Sequence, residues 1–218
     1  MNMHMIDTPD LAAEPVSAPT PDLTLQSIHP DWQGEWGATI RSKAVRRAVA
    51  ANPRLSARLA AAILAARNIP DDDIVELPED DRRVLAALAA DPARFVERVG
   101  LVWMAEDLAT RVTPAALEPW LRHFDPDQIR AAMRLRTLAP ASAEVGLSSD
   151  RLADIVRRRG TGCLLIWSEN LPEAHAGRVR LMLPRDPVSD LGYFENVRRL
   201  AHRIVLAVAD DLATNRGS

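Results

Sequence analysis

Four dipeptides constrain this chain more than any other feature: Asn52-Pro53, Asp91-Pro92, Thr113-Pro114 and Asp125-Pro126. In each, a residue whose side-chain oxygen can cap a helix precedes a proline. Proline suits the first helical position, where its missing N–H would have had no partner anyway. Four helix starts follow. Asp125-Pro126-Asp127-Gln128 also has capping-box spacing, with Gln128 placed to reach back to the cap amide.

Behind these starts, apolar residues recur at three- and four-residue spacing. Leu55, Leu59, Ala62, Ile63 and Ala66 form one stripe, Val84, Leu85 and Leu88 a second, and Phe95, Val96, Val99 and Val102 a third. Leu117, Trp120, Leu121 and Phe124 cluster further on, as do Ile129, Met133 and Leu138. Ser148 and Ser149 are placed to cap a helix running through Val156, and Gly160-Thr161-Gly162 reads as either a break or a tight crossing point. Cys163-Leu-Leu-Ile-Trp167 is a short apolar run that reads as helix, although periodicity alone does not assign it. Arg178-Val-Arg-Leu-Met-Leu183 alternates, with Val179, Leu181 and Leu183 on one face before Pro184, and so reads as a strand. A last amphipathic helix spans roughly Tyr193–Leu212. The expected fold is mainly α, a single-domain helical fold of about eight helices with a minor β-strand element near 178–183.

Residues 1–28 are acidic and Pro-rich, with four prolines, and are expected to be disordered, the helical domain occupying 29–214. Trp32 and Trp36, four residues apart around Gly34, are placed to dock the amino-terminal segment onto the body. With 218 residues the chain is long enough to bury a sizeable core without a metal or a disulfide. The lone Cys163 excludes an intrachain disulfide, fits a reducing cytoplasm, and has an apolar flank that points to burial and inertness. No run approaches a membrane span, and the opening residues lack the basic and apolar regions of a signal peptide. A cytoplasmic protein is expected.

Charge is distributed in blocks: −6 over residues 1–40, +7 over 41–67, −7 over 71–81, and −3 overall. A chain of this balance is not a general nucleic-acid binder. The basic block, bearing Arg41, Lys43, Arg46, Arg47, Arg54, Arg58 and Arg67, still admits a nucleic-acid alternative, since clustered guanidiniums suit phosphates. The chain carries no P-loop, dinucleotide-binding glycine pattern, zinc-protease motif or nucleophile elbow. Its five histidines are scattered singly, so that a metal site would have to assemble in space from His123, His175 and an acid. Asp71-Asp72-Asp73 lacks the alternation and glycine of a calcium loop. No catalytic residue, metal ligand or cofactor site is expected. Trp103, Trp120 and Trp167 are of the type that anchors interfaces, but each lies on an apolar stripe and reads as core.

Three segments, in order, resemble the SctK family of bacterial type III secretion, also known as YscK, PscK, OrgA, MxiK or NolU. Arg98-Val-Gly-Leu-Val-Trp103 is similar to the family's Arg-Leu-Gly-Leu-Val helix and leads through Leu108 and Val112 into a leucine-rich helix. Gly162-Cys-Leu-Leu-Ile-Trp167 resembles its Gly-Leu-aliphatic-aromatic-Trp segment. Arg178-Val-Arg-Leu-Met-Leu-Pro184 resembles its Arg-Leu-x-Leu-x-Leu-Pro strand, and an amphipathic helix closes the chain. The resemblance spans the chain from Arg94 onward. It implies a non-catalytic adaptor of the sorting platform at the cytoplasmic face of the inner membrane. Such an adaptor links the ring protein SctD to the pod protein SctQ, and through SctQ to the stator SctL and the ATPase SctN.

Overall fold

The structure, a computed structural model, describes residues 25–37, 42–70, 76–111, 113–141, 151–185, 191 and 194–216. The described residues form α1 (Pro30–Gly37), α2 (Lys43–Ala51), α3 (Pro53–Ala66), α4 (Glu79–Ala90), α5 (Pro92–Trp103), α6 (Ala105–Ala109) and α7 (Pro114–His123). They continue with α8 (Pro126–Arg134), a 3-10 turn at Arg136–Leu138, α9 (Leu152–Ser168), α10 (Glu173–Met182) and α11 (Glu195–Arg216).

All four proline-marked starts are helix starts. Asn52 accepts from the amides of Arg54 and Leu55, Asp91 from Arg94 and Thr113 from Ala116. Asp125 and Gln128 form the complete capping box of α8. Each cap satisfies amides that would otherwise lack partners in the first turn. The acidic residues Glu79, Asp80 and Asp81 fall in the first turn of α4, where the helix dipole favours negative charge. Asp71–Asp73, Ser148 and Ser149 lie outside the described residues, as do the expected disordered residues up to 24.

The core is organised around α5. Six successive residues, Arg98–Trp103, are buried, so this helix has no solvent face there; α4, α8, α9 and α11 enclose it. Its closest neighbour is α9. A Cβ added at Gly100 would lie 1.9 Å from the Val156 carbonyl oxygen, and one added at Gly160 would lie 1.9 Å from that of Val96. The two backbones therefore touch at reciprocal glycines. Gly160-Thr161-Gly162 is the crossing point, inside an unbroken helix that carries Cys163–Trp167 in its second half.

Among the described residues there is no strand, and the expectation of one at 178–183 is wrong: Arg178–Met182 is the last half of α10. The alternation misleads because α10 is buried nearly all round. Ala174, His175, Ala176, Gly177, Arg178, Val179, Leu181 and Met182 are all buried; Arg178 and Arg180 together made the apparent two-residue period, but only Arg180 is exposed. Leu183 caps the helix in extended conformation ahead of Pro184, where a proline prevents continuation.

The amino-terminal segment is docked by Trp32. Its indole N–H donates to the carbonyl oxygens of Leu183, at 2.9 Å, and Arg180, at 3.2 Å. These acceptors belong to the end of α10, where the Arg180 carbonyl also takes the amide of the cap residue Leu183. The Arg67 guanidinium lies 4.7 Å from the ring centroid. The side chain of Trp36 lies outside the described residues.

The crossing yields a sharp expectation. Alanine would raise helix propensity by about 1 kcal/mol relative to glycine in an open helix. In Gly160→Ala the clash with backbone should prevail, and unfolding free energy should fall by about 2 kcal/mol or more. Urea denaturation of the purified variant reads this directly; a stabilised Gly160→Ala protein would contradict the close approach.

Candidate functional site

A cleft of about 490 Å³ opens where the carboxyl end of α4, the start of α5, α8 and the end of α11 meet. Arg94 and Arg98 line it from α5, Arg130 and Arg134 from α8, and Leu212 and Asn215 from α11, with Asp91, Asp127 and Phe95 completing the wall. Helical geometry produces the arrangement: Arg94 and Arg98, like Arg130 and Arg134, are four residues apart and stand on one face.

The four guanidiniums are not equivalent. Arg134 is half exposed and donates to Asp211 of α11 through both Nη2, at 2.7 Å, and Nε, at 3.3 Å. Arg130 pairs with Asp127 of its own helix. Arg98 is enclosed, its side chain only 8% exposed. Its nearest carboxylate oxygen, on Asp211, is 3.8 Å away, outside hydrogen-bond reach, and its Nε has no hydrogen-bond partner. Burial, with Asp211 opposing and Arg94 and Arg134 adding repulsion, pulls the Arg98 pKa down from its ordinary value. Guanidinium is basic enough to keep its proton even so. The site thus sets one enclosed guanidinium, Arg98, among three exposed ones, an arrangement chemically suited to holding an anion.

A second groove of about 500 Å³ adjoins it at Asp91 and is more apolar, bounded by Ile28, Pro92, Val96, Met182 and Pro184. Other features of the sequence resolve into structural roles. Trp103, Trp120 and Trp167 are buried. The Trp167 indole N–H donates to Asp81 at 2.9 Å, so one residue of the acidic block secures α4 to α9. Glu79 and Asp80 pair with Arg82 and Arg83, and Arg83 also reaches Asp210 of α11 at 2.6 Å.

His123 is exposed at the end of α7, whereas His175 is fully buried in α10. Among the described residues no three histidine, cysteine or acidic side chains gather as a metal site. Cys163 is buried in α9, and burial holds its thiol pKa well above the ordinary value despite the opposing charge of Arg159. Of the basic block, Arg47, Arg54, Arg58 and Arg67 are exposed, while Arg41 and the side chains of Lys43 and Arg46 lie outside the described residues. Among the described residues no helix is long and apolar enough to cross a membrane.

The arginine cleft is not legible in the sequence because its two arginine pairs are 32 residues apart, counted from Arg98 to Arg130. One signal was available: Arg98 interrupts the apolar stripe of Phe95, Val99 and Val102, and a charge amid such a stripe must find company or a use. In comparisons with known proteins, the chain matches no family model, no curated protein and no solved structure.

Two measurements probe this region. Asp211→Asn removes the carboxylate between Arg98 and Arg134 and should lower unfolding free energy by about 2–3 kcal/mol. Arg122→Gln, which breaks the exposed pair with Glu118, should change it by less than about 0.5 kcal/mol; equal effects would mean that the buried pair contributes nothing special. Separately, a raised thiol pKa and full burial together keep Cys163 protonated and covered at pH 8. A thiol-reactive disulfide reagent should therefore label the native protein at least about 100-fold more slowly than the guanidinium-unfolded chain.

Proposed function

We propose that the chain is a non-catalytic adaptor of a type III secretion sorting platform. In this role it links the cytoplasmic domain of an SctD-like ring protein to an SctQ-like pod protein, and so to SctL and SctN, at the cytoplasmic face of the inner membrane. The observation that carries the reading is the ordered resemblance of its segments, together with where two of them lie. Arg98–Trp103 and Gly162–Trp167 occupy α5 and α9, the helices that meet at Gly100 and Gly160. The first stretch contains Gly100, and the second begins two residues past Gly160 on the same helix. The third segment, Arg178–Pro184, is helical through Met182 where the resemblance implies a strand, so it contributes order and spacing only.

An adaptor works through surfaces, and those on this chain are charged and sharply divided. Such surfaces steer encounter and select partners, while a few buried anchors supply most affinity. The test is copurification of the full chain with an SctQ-like protein and the cytoplasmic domain of an SctD-like protein at physiological salt. Retention of both is expected; retention of neither removes the reading.

One observation favours a second reading, a nucleic-acid-associated regulatory protein. Arg47, Arg54 and Arg58 project from α2 and α3 into solvent, and no ion pair engages them among the described residues. Under that reading, duplex DNA retains the protein, retention falls steeply with salt, and changing Arg46, Arg47 and Arg58 together to Glu abolishes it. Under the adaptor reading the same triple change leaves SctQ-like binding intact wherever that contact lies away from α2 and α3.

A further inference from the structure

We propose that the arginine cleft between α5, α8 and α11 receives an acidic peptide segment of a protein partner, its carboxylates pairing with Arg94, Arg98 and Arg130. The proposal deepens the adaptor reading and rests on it for the protein nature of the ligand; the anion site itself does not.

The central observation is Arg98. A guanidinium with its side chain 92% buried lines an open cleft, has no partner for its Nε–H, and holds its nearest carboxylate oxygen at 3.8 Å. Buried polar groups in folded proteins are ordinarily satisfied, so an under-satisfied guanidinium in the wall of a cleft can take a further acceptor. Arg94, one turn earlier on the same face, pairs with no carboxylate among the described residues. Of the aspartates nearby, Asp91 caps α5 and Asp127 holds Arg130, while Asp211 gives Oδ1 to Arg134 and turns an Oδ2 without a hydrogen bond toward Arg98 at 3.8 Å. An incoming carboxylate thus meets Arg94 without displacing a partner and joins Asp211 at Arg98, and the planar guanidinium fork matches it bidentately.

Two features favour a peptide over phosphate. Asp91 and Asp127 line the same wall, and a compact multivalent anion between them would face their charge at close range. Carboxylates spaced along a peptide can each take one arginine and leave the aspartates to the peptide's own N–H groups. The volume, about 490 Å³, is also suited to several residues and is far more than a single phosphate fills.

The test uses a fluorescein-labelled octaglutamate peptide titrated with the full chain at low salt, read by fluorescence anisotropy. Saturable binding is expected, with none for octaglutamine. The double variant Arg94→Glu/Arg130→Gln should weaken binding at least about tenfold. It leaves Arg98 in place, and Glu at position 94 has capping-box spacing from Asp91, so the helix start is preserved; a thermal melt close to that of the parent checks this. Changing Arg47, Arg54 and Arg58 to Glu should leave peptide affinity within about twofold, because those residues lie outside the cleft. Equimolar pyrophosphate should not displace the peptide. Equal binding by the double variant, loss of binding in the α2–α3 variant, or displacement by pyrophosphate would each overturn the proposal. A chain that takes the peptide at the cleft but copurifies with neither secretion partner retires the adaptor reading and leaves this site standing. Copurification without any peptide binding does the reverse.

Discussion

Where Gly100 of α5 meets Gly160 of α9, the two helices come close enough that each glycine's missing side chain is occupied by the other helix's carbonyl oxygen. Glycine inside a helix costs about 1 kcal/mol in conformational freedom. Close contact recovers more, because backbone against backbone brings Val96, Val99, Val156 and Leu164 into dense packing, and each fully buried side chain of this kind contributes about 1.5–3 kcal/mol. With α9 pressed so tightly on one side, α4, α8 and α11 close over the others, and α5 has no free face over Arg98–Trp103.

That enclosure has an electrostatic consequence. Arg98 belongs to the enclosed part of α5, and its side chain is covered except where it meets the wall of the cleft. Its charge is met by Asp211 from α11, which Arg134 of α8 shares, so three helices converge on one partly shielded group of charges. The arrangement leaves Arg98 Nε and Asp211 Oδ2 without hydrogen bonds, where a core built for stability alone would place apolar side chains. By contrast, the Trp167 indole N–H meets Asp81 at 2.9 Å and ties α9 to α4. The contrast separates structural polarity from polarity available to a ligand.

How much of this was legible depended on the range of the interaction responsible. Asn52, Asp91, Thr113 and Asp125 announced their helices because a cap acts on amides two and three residues away. The long apolar stripe ending in α11 was equally plain, since one face of that helix is buried and the other wet. Where a helix is surrounded, period fades: Cys163–Trp167 gave no decisive pattern, and Arg178–Leu183 gave a false one. Basic residues were misleading in a related way. Seven in a row without an acid drew notice to 41–67, whereas Arg94, Arg98, Arg130 and Arg134 were diluted by Asp and Glu and unremarkable until folding juxtaposed them.

By itself, then, the amino-acid order determined the helical class, four helix starts and the core character of the tryptophans, because these follow from contacts within a turn or two and from the apolar content of each stripe. Tertiary structure decided that 178–182 is helix and not strand, that Gly160 is a crossing and not a break, and that arginines from two helices share a cleft. Each of those outcomes depends on which surfaces meet across long stretches of chain, and burial on all sides removes the solvent contrast from which a linear pattern is read.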